Sequence, residues 1–328
     1  MKAVPILEVD GLVKTFRTGS RFSRGGVQRV QALAGITLQV FPGETLGLVG
    51  ESGCGKSTLG RCLLRLYDTD AGRILFKGHD LTAMSERALR PLRADMQMVF
   101  QDPLASLNPR RRVGDLIAEP LRVHGYGDAA KIRARLEELM QVVGLSPEFL
   151  SRYPHEFSGG QRQRIGIARA IALSPSLIIA DEPVSALDVS VQAQIVNLLA
   201  ELQAELNLTT IFIAHDLSVV RQIADRVAVM YLGAMVEIGP TDTVMHRPAH
   251  PYSAALISAV PEPDPARGQQ RTVLQGEPPS PANPPAGCRF HTRCPIAQPV
   301  CAKDPPALRP DAEGRAVACH FPLAGTRS

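Results

Sequence analysis

The sequence predicts an α/β fold with a helical insertion and a proline- and cysteine-rich tail. Residues 50–57 read Gly-Glu-Ser-Gly-Cys-Gly-Lys-Ser, a glycine loop set between an apolar strand and a helix. Residues 177–180 and 210–214, Leu-Ile-Ile-Ala and Thr-Ile-Phe-Ile-Ala, are continuous apolar runs of the kind a parallel sheet covered on both faces requires. Beyond residue 260 the composition shifts: 14 of the 27 prolines and four of the six cysteines fall in residues 261–328. Such a stretch supports neither long helices nor central strands.

In chain order, residues 6–16 and 30–40 read as strands. The Arg/Gly/Ser-rich insert between them, residues 17–29, reads as a solvated loop. Arg17, Arg21, Arg24 and Arg29 leave open a contact with lipid headgroups or a partner. Residues 45–49 form a short buried strand before the glycine loop, and residues 56–66 the helix after it. Residues 73–77 and 96–100 read as further strands. Ile132, Leu136, Leu139, Met140 and Val143 recur at helical spacing and give one apolar stripe. Phe157-Ser-Gly-Gly-Gln161 opens a helix over residues 161–173. Between the two apolar runs a helix carries Val191, Ile195, Leu198, Leu199 and Leu202 on one side.

The 328 residues are enough for two or three domains with a buried core, and 45% apolar with 21% charged residues is ordinary globular composition. A net charge of +4 is too small to argue for nucleic acid. Lys2 is followed by no apolar run before Glu8 and Asp10, so no signal peptide is expected. The longest mostly apolar stretch, residues 227–236, falls short of the ~20 residues of a membrane span, and the chain is expected not to cross a bilayer. Six cysteines without an export signal point to a reducing compartment.

The glycine loop fits G-x-x-x-x-G-K-[ST]. Its glycines let backbone N–H groups turn around a phosphate where a Cβ would block the approach. Lys56 reaches the β and γ oxygens, Ser57 offers a hydroxyl to Mg²⁺, and the positive end of the following helix faces the phosphates. Asp181 and Glu182 end an apolar strand: Asp181 suits the Mg²⁺ shell, Glu182 the polarising of an attacking water. Residues 158–161 place a Ser-Gly-Gly turn at a helix N-terminus, a second anion site that one nucleotide on one subunit does not need. Cys54, beside Lys56 and a helix N-terminus, is read either as a small filler or as a thiol of lowered pKa that alkylation would reveal.

Taken together, residues 50–57, Gln101, residues 158–161, Asp181-Glu182, Ser185-Ala-Leu-Asp188 and His215 resemble the nucleotide-binding subunit of an ABC transporter. They match that family's P-loop, Q-loop, signature, Walker B, D-loop and switch histidine in order, over residues 5 to about 245. Phe157 stands where that signature more often has Leu. Residues 100–109, Phe-Gln-Asp-Pro-Leu-Ala-Ser-Leu-Asn-Pro, and 182–194 are similar to the oligopeptide/dipeptide importer ATPases. So is the tail, through His250-Pro-Tyr-Ser-Ala-Ala-Leu and the segment from Cys288 to Cys294-Pro.

The resemblance implies a P-loop NTPase core (residues 1–245) with an antiparallel β subdomain, a helical signature subdomain at about residues 102–165, and a C-terminal extension over residues 246–328. It implies ATP and Mg²⁺ as ligands. Phe16, Gly50, Glu51, Ser52, Gly53, Cys54, Gly55, Lys56, Ser57 and Thr58 fall to the nucleotide of one subunit, with Phe16 on the adenine. Ser158, Gly159, Gly160, Gln161 and Asp188 fall to the nucleotide of a head-to-tail partner. Ser57, Gln101 and Asp181 fall to Mg²⁺, and Glu182, His215 and Gln101 to catalysis. Implied partners are a second, paralogous ATPase subunit, two transmembrane permeases and an extracytoplasmic substrate-binding protein, with no nucleic acid. The implied location is peripheral, on the cytoplasmic face of the inner membrane. Nickel, glutathione or oligosaccharide import, or a non-transport ATPase acting on nucleic acid, are the alternatives.

The tail cysteines Cys288, Cys294, Cys301 and Cys319 have spacing C-x5-C-x6-C-x17-C, without the C-x2-C pair of a zinc ribbon. Some members of the subfamily hold a [4Fe–4S] cluster, which four thiolates of mixed spacing can ligate. Zn²⁺ with His291 or His320, and free thiols, are the alternatives. Arg110, Arg111 and Arg112 read either as a permease contact or as a solvated basic turn.

Overall fold

Alternation of apolar and polar side chains makes strands of the N-terminal segments. In β1 (Leu7–Thr18), Leu7, Val9 and Leu12 are buried and Asp10 is exposed. It pairs antiparallel with β2 (Gln28–Val40), and the pairing runs out to Arg17↔Arg29 and Thr18↔Gln28. Ladder bonding therefore carries both strands into the stretch expected to be a loop. Arg21 and Arg24 lie outside the described residues, which in this computed structural model are 4–18, 28–102, 106–259, 274 and 276–323.

The wholly buried β3 (Thr45–Val49) leads into the glycine loop and α1 (Lys56–Leu63). The helix ends three residues before the expected boundary because Arg65 turns left-handed at φ 53°. The N–H groups of Arg65 and Leu66 then close on the carbonyls of Cys62 and Arg61, both at 2.9 Å. β4 (Ala71–Phe76) and β5 (His79–Asp80) complete a four-stranded antiparallel sheet of order β2-β1-β4-β5. The chain divides into two compact units. The phosphate-loop unit holds Pro5–Val40, Leu46–Thr82 and Ala214–Ser328; the helical unit holds Phe41–Thr45 and Ala83–Ile213.

The helical unit begins with α2 (Glu86–Arg93), capped by the Ser85 hydroxyl, and β6 (Met96–Val99). α3 (Val113–Val123) and α4 (Ala129–Val142) follow, the latter capped by Asp128. Leu136, Leu139, Met140 and Val143 are buried as the stripe predicts, and Ile132 is half-buried. α5 (Gly159–Ala170) starts two residues before the expected helix and stops three before its expected end. Ser158 caps its start. At its end Ser174 turns left-handed, and Arg135 donates to the carbonyls of Ile171 and Ala172, each at 3.2 Å. β7 (Leu177–Asp181), α6 (Val189–Leu206) and β8 (Thr209–Ile213) complete the unit. β6 and β8 flank β7 in parallel register, Met96↔Leu177 and Ile178↔Thr210, and every residue of β7 and β8 is buried. α5 rests close on α6: a Cβ on Gly160 would lie 2.4 Å from Val191 Cγ1.

The phosphate-loop unit resumes with α7 (Leu217–Ile223) and β9 (Arg226–Tyr231), which runs parallel to β3. β10 (Ala234–Pro240), α8 (Thr241–His246) and α9 (Pro251–Ser258) follow. Residues 260–273, with the first prolines of the tail, lie outside the described residues. From residue 276 the described tail consists of turns, single 3₁₀ turns and two short strands, β11 (Arg309–Pro310) and β12 (Ala316–Val317). β12 joins the edge of β10 at Glu237↔Val317. Phe290, 1% exposed, packs its ring 5.2 Å from Tyr231 and 5.4 Å from Tyr252. Glu237, fully buried, accepts hydrogen bonds from the N–H groups of Ala249 and His250 at 2.9 and 3.0 Å.

His250 is the N-cap of α9: its Nδ1 accepts the Tyr252 N–H at 3.0 Å, and Pro251 at the first helical position needs no acceptor. Burial lowers the imidazole to about 3, so it is neutral in the folded protein. The unfolded chain takes up the proton first, near pH 6.5, and stability falls as the pH drops from there. Chemical denaturation should record a loss of about 2 kcal/mol between about pH 6.5 and pH 5 from this group, and His250→Asn, which keeps a capping acceptor, should remove that slope. A second expectation concerns the α5–α6 contact. Gly160→Ala should destabilise by about 1–3 kcal/mol through overpacking, and Val191→Ala in the same chain should recover most of it.

Candidate nucleotide site

The glycine loop is shaped by backbone pressed against it. Gly50 has φ 150°, and a Cβ there would lie 2.2 Å from the Met230 carbonyl oxygen. Gly55, at φ 107°, would meet the Ala32 carbonyl at 2.4 Å. Both positions therefore admit only glycine. Lys56, 4% exposed, folds back over the loop, its Nζ donating to the carbonyls of Gly50 at 2.7 Å and Glu51 at 3.1 Å. Ser52 and Gly53 are exposed at the tip, and Ser57 and Thr58 are half-buried in the first turn of α1. For Cys54 the surroundings favour one of the two readings. Its side chain is buried against the loop, and burial pushes the thiol up, outweighing the lowering by nearby Lys56. That environment favours the small-filler reading over a thiol of lowered pKa.

In the helical unit, β7 delivers Asp181, 1% exposed, and then Glu182, half-exposed. Glu182 is left-handed at φ 46°, an uncommon state for a residue with a Cβ. Its N–H donates to the Ile213 carbonyl at 3.0 Å, and its carbonyl accepts the Ser185 hydroxyl at 3.1 Å. Gln101 donates from Nε2 to Glu182 Oε2 at 3.0 Å, bringing together two residues 81 apart in sequence. Of the stretch 100–109, Pro103, Leu104 and Ala105 lie outside the described residues. Arg111 in the following basic turn pairs with Glu119 at 2.7 Å.

Ser158 and Gln161 form a reciprocal capping box at the start of α5. The Ser158 hydroxyl accepts the Gln161 N–H at 3.3 Å, and Gln161 Oε1 accepts the Ser158 N–H at 3.0 Å. Phe157 fits the core as a leucine would, 5% exposed, with its ring edge-on to Phe149 at 5.7 Å. Asp188, exposed, is the N-cap residue of α6, and the Val189 beside it is 82% exposed. His215 is exposed in the phosphate-loop unit, just before α7. Phe16 is half-buried there, its ring edge-on to Tyr67 at 5.5 Å.

The four tail cysteines line one small cavity of about 10 Å³, together with His250, His291, His320 and Phe290. Burial pushes the thiols of Cys288, Cys294 and Cys319 up, Cys319 to about 11, and nearness to Cys301 adds to it. His291 Nδ1 lies 2.8 Å from the Cys288 carbonyl, and His320 Nε2 2.9 Å from that of Asp304. Among the described residues, no three His, Cys, Asp or Glu side chains are arranged to hold a metal ion.

Two residues touch the loop that the sequence reading did not assign to it. The Tyr252 hydroxyl accepts the Glu51 N–H at 2.8 Å, and Arg293 pairs with the Glu51 carboxylate at 3.0 Å. They come from 201 and 242 residues away, and no local pattern points to them.

A family model described as "ABC transporter" matches residues 33–185, and one described as "Oligopeptide/dipeptide transporter, C-terminal region" matches residues 236–301. The oligopeptide transport ATP-binding protein OppF of Escherichia coli is 57% identical over 308 residues, covering 92% of each chain. The putative oligopeptide transport ATP-binding protein YkfD of Bacillus subtilis is 53% identical over 324 residues, 98% of this chain and 97% of its own. Among solved structures, the ATP-binding cassette MJ0796, dimeric and bound to ADP and Pi, is 27% identical. It superposes with a TM-score of 0.64 over 72% of this chain and 98% of its own. With relatives 53–57% identical over nearly their whole length and both family models matched, the chain belongs to the ABC transporter ATPases, in the oligopeptide-transport branch.

Proposed function

We infer that the chain is the ATP-hydrolysing subunit that powers an oligopeptide importer. The observation that carries the ATPase reading is the loop itself: Lys56 tethered over two carbonyls, between glycines whose Cβ atoms have no room. The relatives' names favour peptide cargo over nickel, glutathione or oligosaccharide, and over action on nucleic acid. Such a subunit works with membrane permeases and a substrate-binding protein. Among the described residues no helix is long and apolar enough to cross a membrane, which agrees with peripheral attachment. We place it on the cytoplasmic face of the inner membrane, beside a paralogous ATPase.

For the site we propose the following roles. Residues 50–58 cradle the phosphates, with Lys56 moving from its carbonyls to the β and γ oxygens. Ser57, Asp181 and Gln101, oxygen donors that suit a hard cation, would hold Mg²⁺, which would supply neutralisation of the phosphate charge. Glu182 polarises the attacking water, and His215 orients it at the γ-phosphate. Gln101, bonded to Glu182, links the base to the nucleotide state. Phe16 stacks on adenine. Residues 158–161 and Asp188 complete the site of the head-to-tail partner; with the Gln161 N–H used by the cap, the Gly159 and Gly160 amides are the donors offered to the phosphate. ATP binds the closed pair better than the open one, and that difference in affinity drives the permeases. The proposed division is an ATPase domain over residues 1–245, with its helical subdomain at about 102–165, and an extension over 246–328.

Glu182→Gln should keep Mg·ATP affinity and lower turnover by roughly 10²–10⁴, the usual contribution of a general base. Near-normal hydrolysis in that variant would exclude Glu182 as the base. For the tail we propose a [4Fe–4S] cluster on Cys288, Cys294, Cys301 and Cys319, with Zn²⁺ as the alternative. The support is chemical: four thiols, soft donors, line one small cavity, although as placed no three of them are set to hold a metal ion. Its role would be to pin a tail with little core of its own. Iron and acid-labile sulfide should be found in anaerobically purified protein; zinc without sulfide supports the alternative, and absence of all three leaves free thiols.

A further inference from the structure

The C-terminal extension reaches Glu51 of the glycine loop through Tyr252, at the backbone N–H, and through Arg293, at the carboxylate. Arg293 ends the short 3₁₀ turn His291–Arg293, between Cys288 and Cys294. Its Nη1 donates to Glu51 Oε1 and Oε2 at 3.1 and 3.0 Å, and to the Tyr231 hydroxyl at 3.3 Å. Arg293 is 7% exposed and the Glu51 side chain 28%. The Arg293 Nε is buried without a hydrogen-bond partner, so the group is held there at the expense of its own solvation. Tyr231 of β9, Tyr252 of α9 and Phe290 of the cysteine-rich tail pack against one another at ring distances of 4.7–5.4 Å and form the floor of this contact.

Glu51 is an awkward residue for a loop that receives a polyanion. Its backbone is well used: the N–H is bound by Tyr252 and the carbonyl accepts from Lys56. Its carboxylate, left alone, would repel a nucleotide's phosphates. We propose that Arg293 is a positioning residue for the phosphate loop, which holds the Glu51 carboxylate aside and neutralises it so that a nucleoside triphosphate meets no opposing charge. This rests on the assignment of residues 50–58 to the nucleotide. It adds to that assignment a residue of the extension that never touches the ligand.

Titration of Mg·ATP and Mg·ADP into the full-length protein tests it. Arg293→Ala should weaken Mg·ATP about tenfold, and Mg·ADP less, because the repulsion scales with ligand charge. The deficit should shrink as salt rises from about 0.05 M to 0.5 M, since an unpaired carboxylate is screened and a misfolded loop is not. Arg293→Lys should keep part of the affinity. Combining Arg293→Ala with Glu51→Gln should bind Mg·ATP more tightly than Arg293→Ala alone, because the second change removes the exposed charge. If Arg293→Ala does not fold by thermal melting, Arg293→Gln carries the same comparison. Unchanged affinity in Arg293→Ala, or a deficit that neither salt nor Glu51→Gln relieves, overturns the proposal. Lys56→Ala separates the two readings: unchanged binding in Lys56→Ala overturns the nucleotide assignment itself, whereas lost binding there with normal binding in Arg293→Ala overturns only the role of Arg293.

Discussion

The Met230 carbonyl oxygen lies 2.2 Å from where a Cβ on residue 50 would stand, and the Ala32 carbonyl presses the other end of the loop at Gly55 in the same way. The phosphate loop is therefore held by backbone contacts that a side chain at either position would destroy. Its conformation rests on β9, which runs parallel to β3, and on β2. The Cys54 carbonyl adds a tie, accepting the Gly233 N–H at 2.8 Å. With the loop so confined, Lys56 has two carbonyls in reach and α1 begins directly beyond Gly55. The shape of this loop is a consequence of packing.

What could be read from the sequence is what local pattern determines. The glycine loop is legible because few other structures need that spacing of glycines and a lysine. β7 and β8 are legible because strands covered on both faces must be apolar throughout. Helix ends are less legible. α1 stops early at a left-handed Arg65, and α5 at a left-handed Ser174 whose preceding carbonyls are taken by Arg135 from another helix. No pattern within either helix announces those stops. The outward growth of β1 and β2 comes from their pairing with each other, which a single segment cannot reveal.

The candidate site divides along the same line. Lys56, Asp181 and Glu182 were singled out by motif and flanking pattern. The Cys54 thiol stayed between two readings in the sequence because its neighbours there include a cation and a helix start, while its surroundings in space are dominated by burial. Tyr252 and Arg293 were invisible as loop contacts because they approach from segments with their own local logic: an N-capped helix in one case, a cysteine-rich turn in the other. The extension is consequently more than an appendage to the sheet edge, since its buried Phe290 and Arg293 supply part of the floor beneath the loop.

The 242-residue span between Glu51 and Arg293 also orders events during synthesis. At about 5–20 residues per second, roughly 12–50 s separate the emergence of the two from the ribosome. A nascent chain that has already made its glycine loop still lacks the guanidinium that faces Glu51. A chain cut short before Arg293 would leave the Glu51 carboxylate without that partner for good.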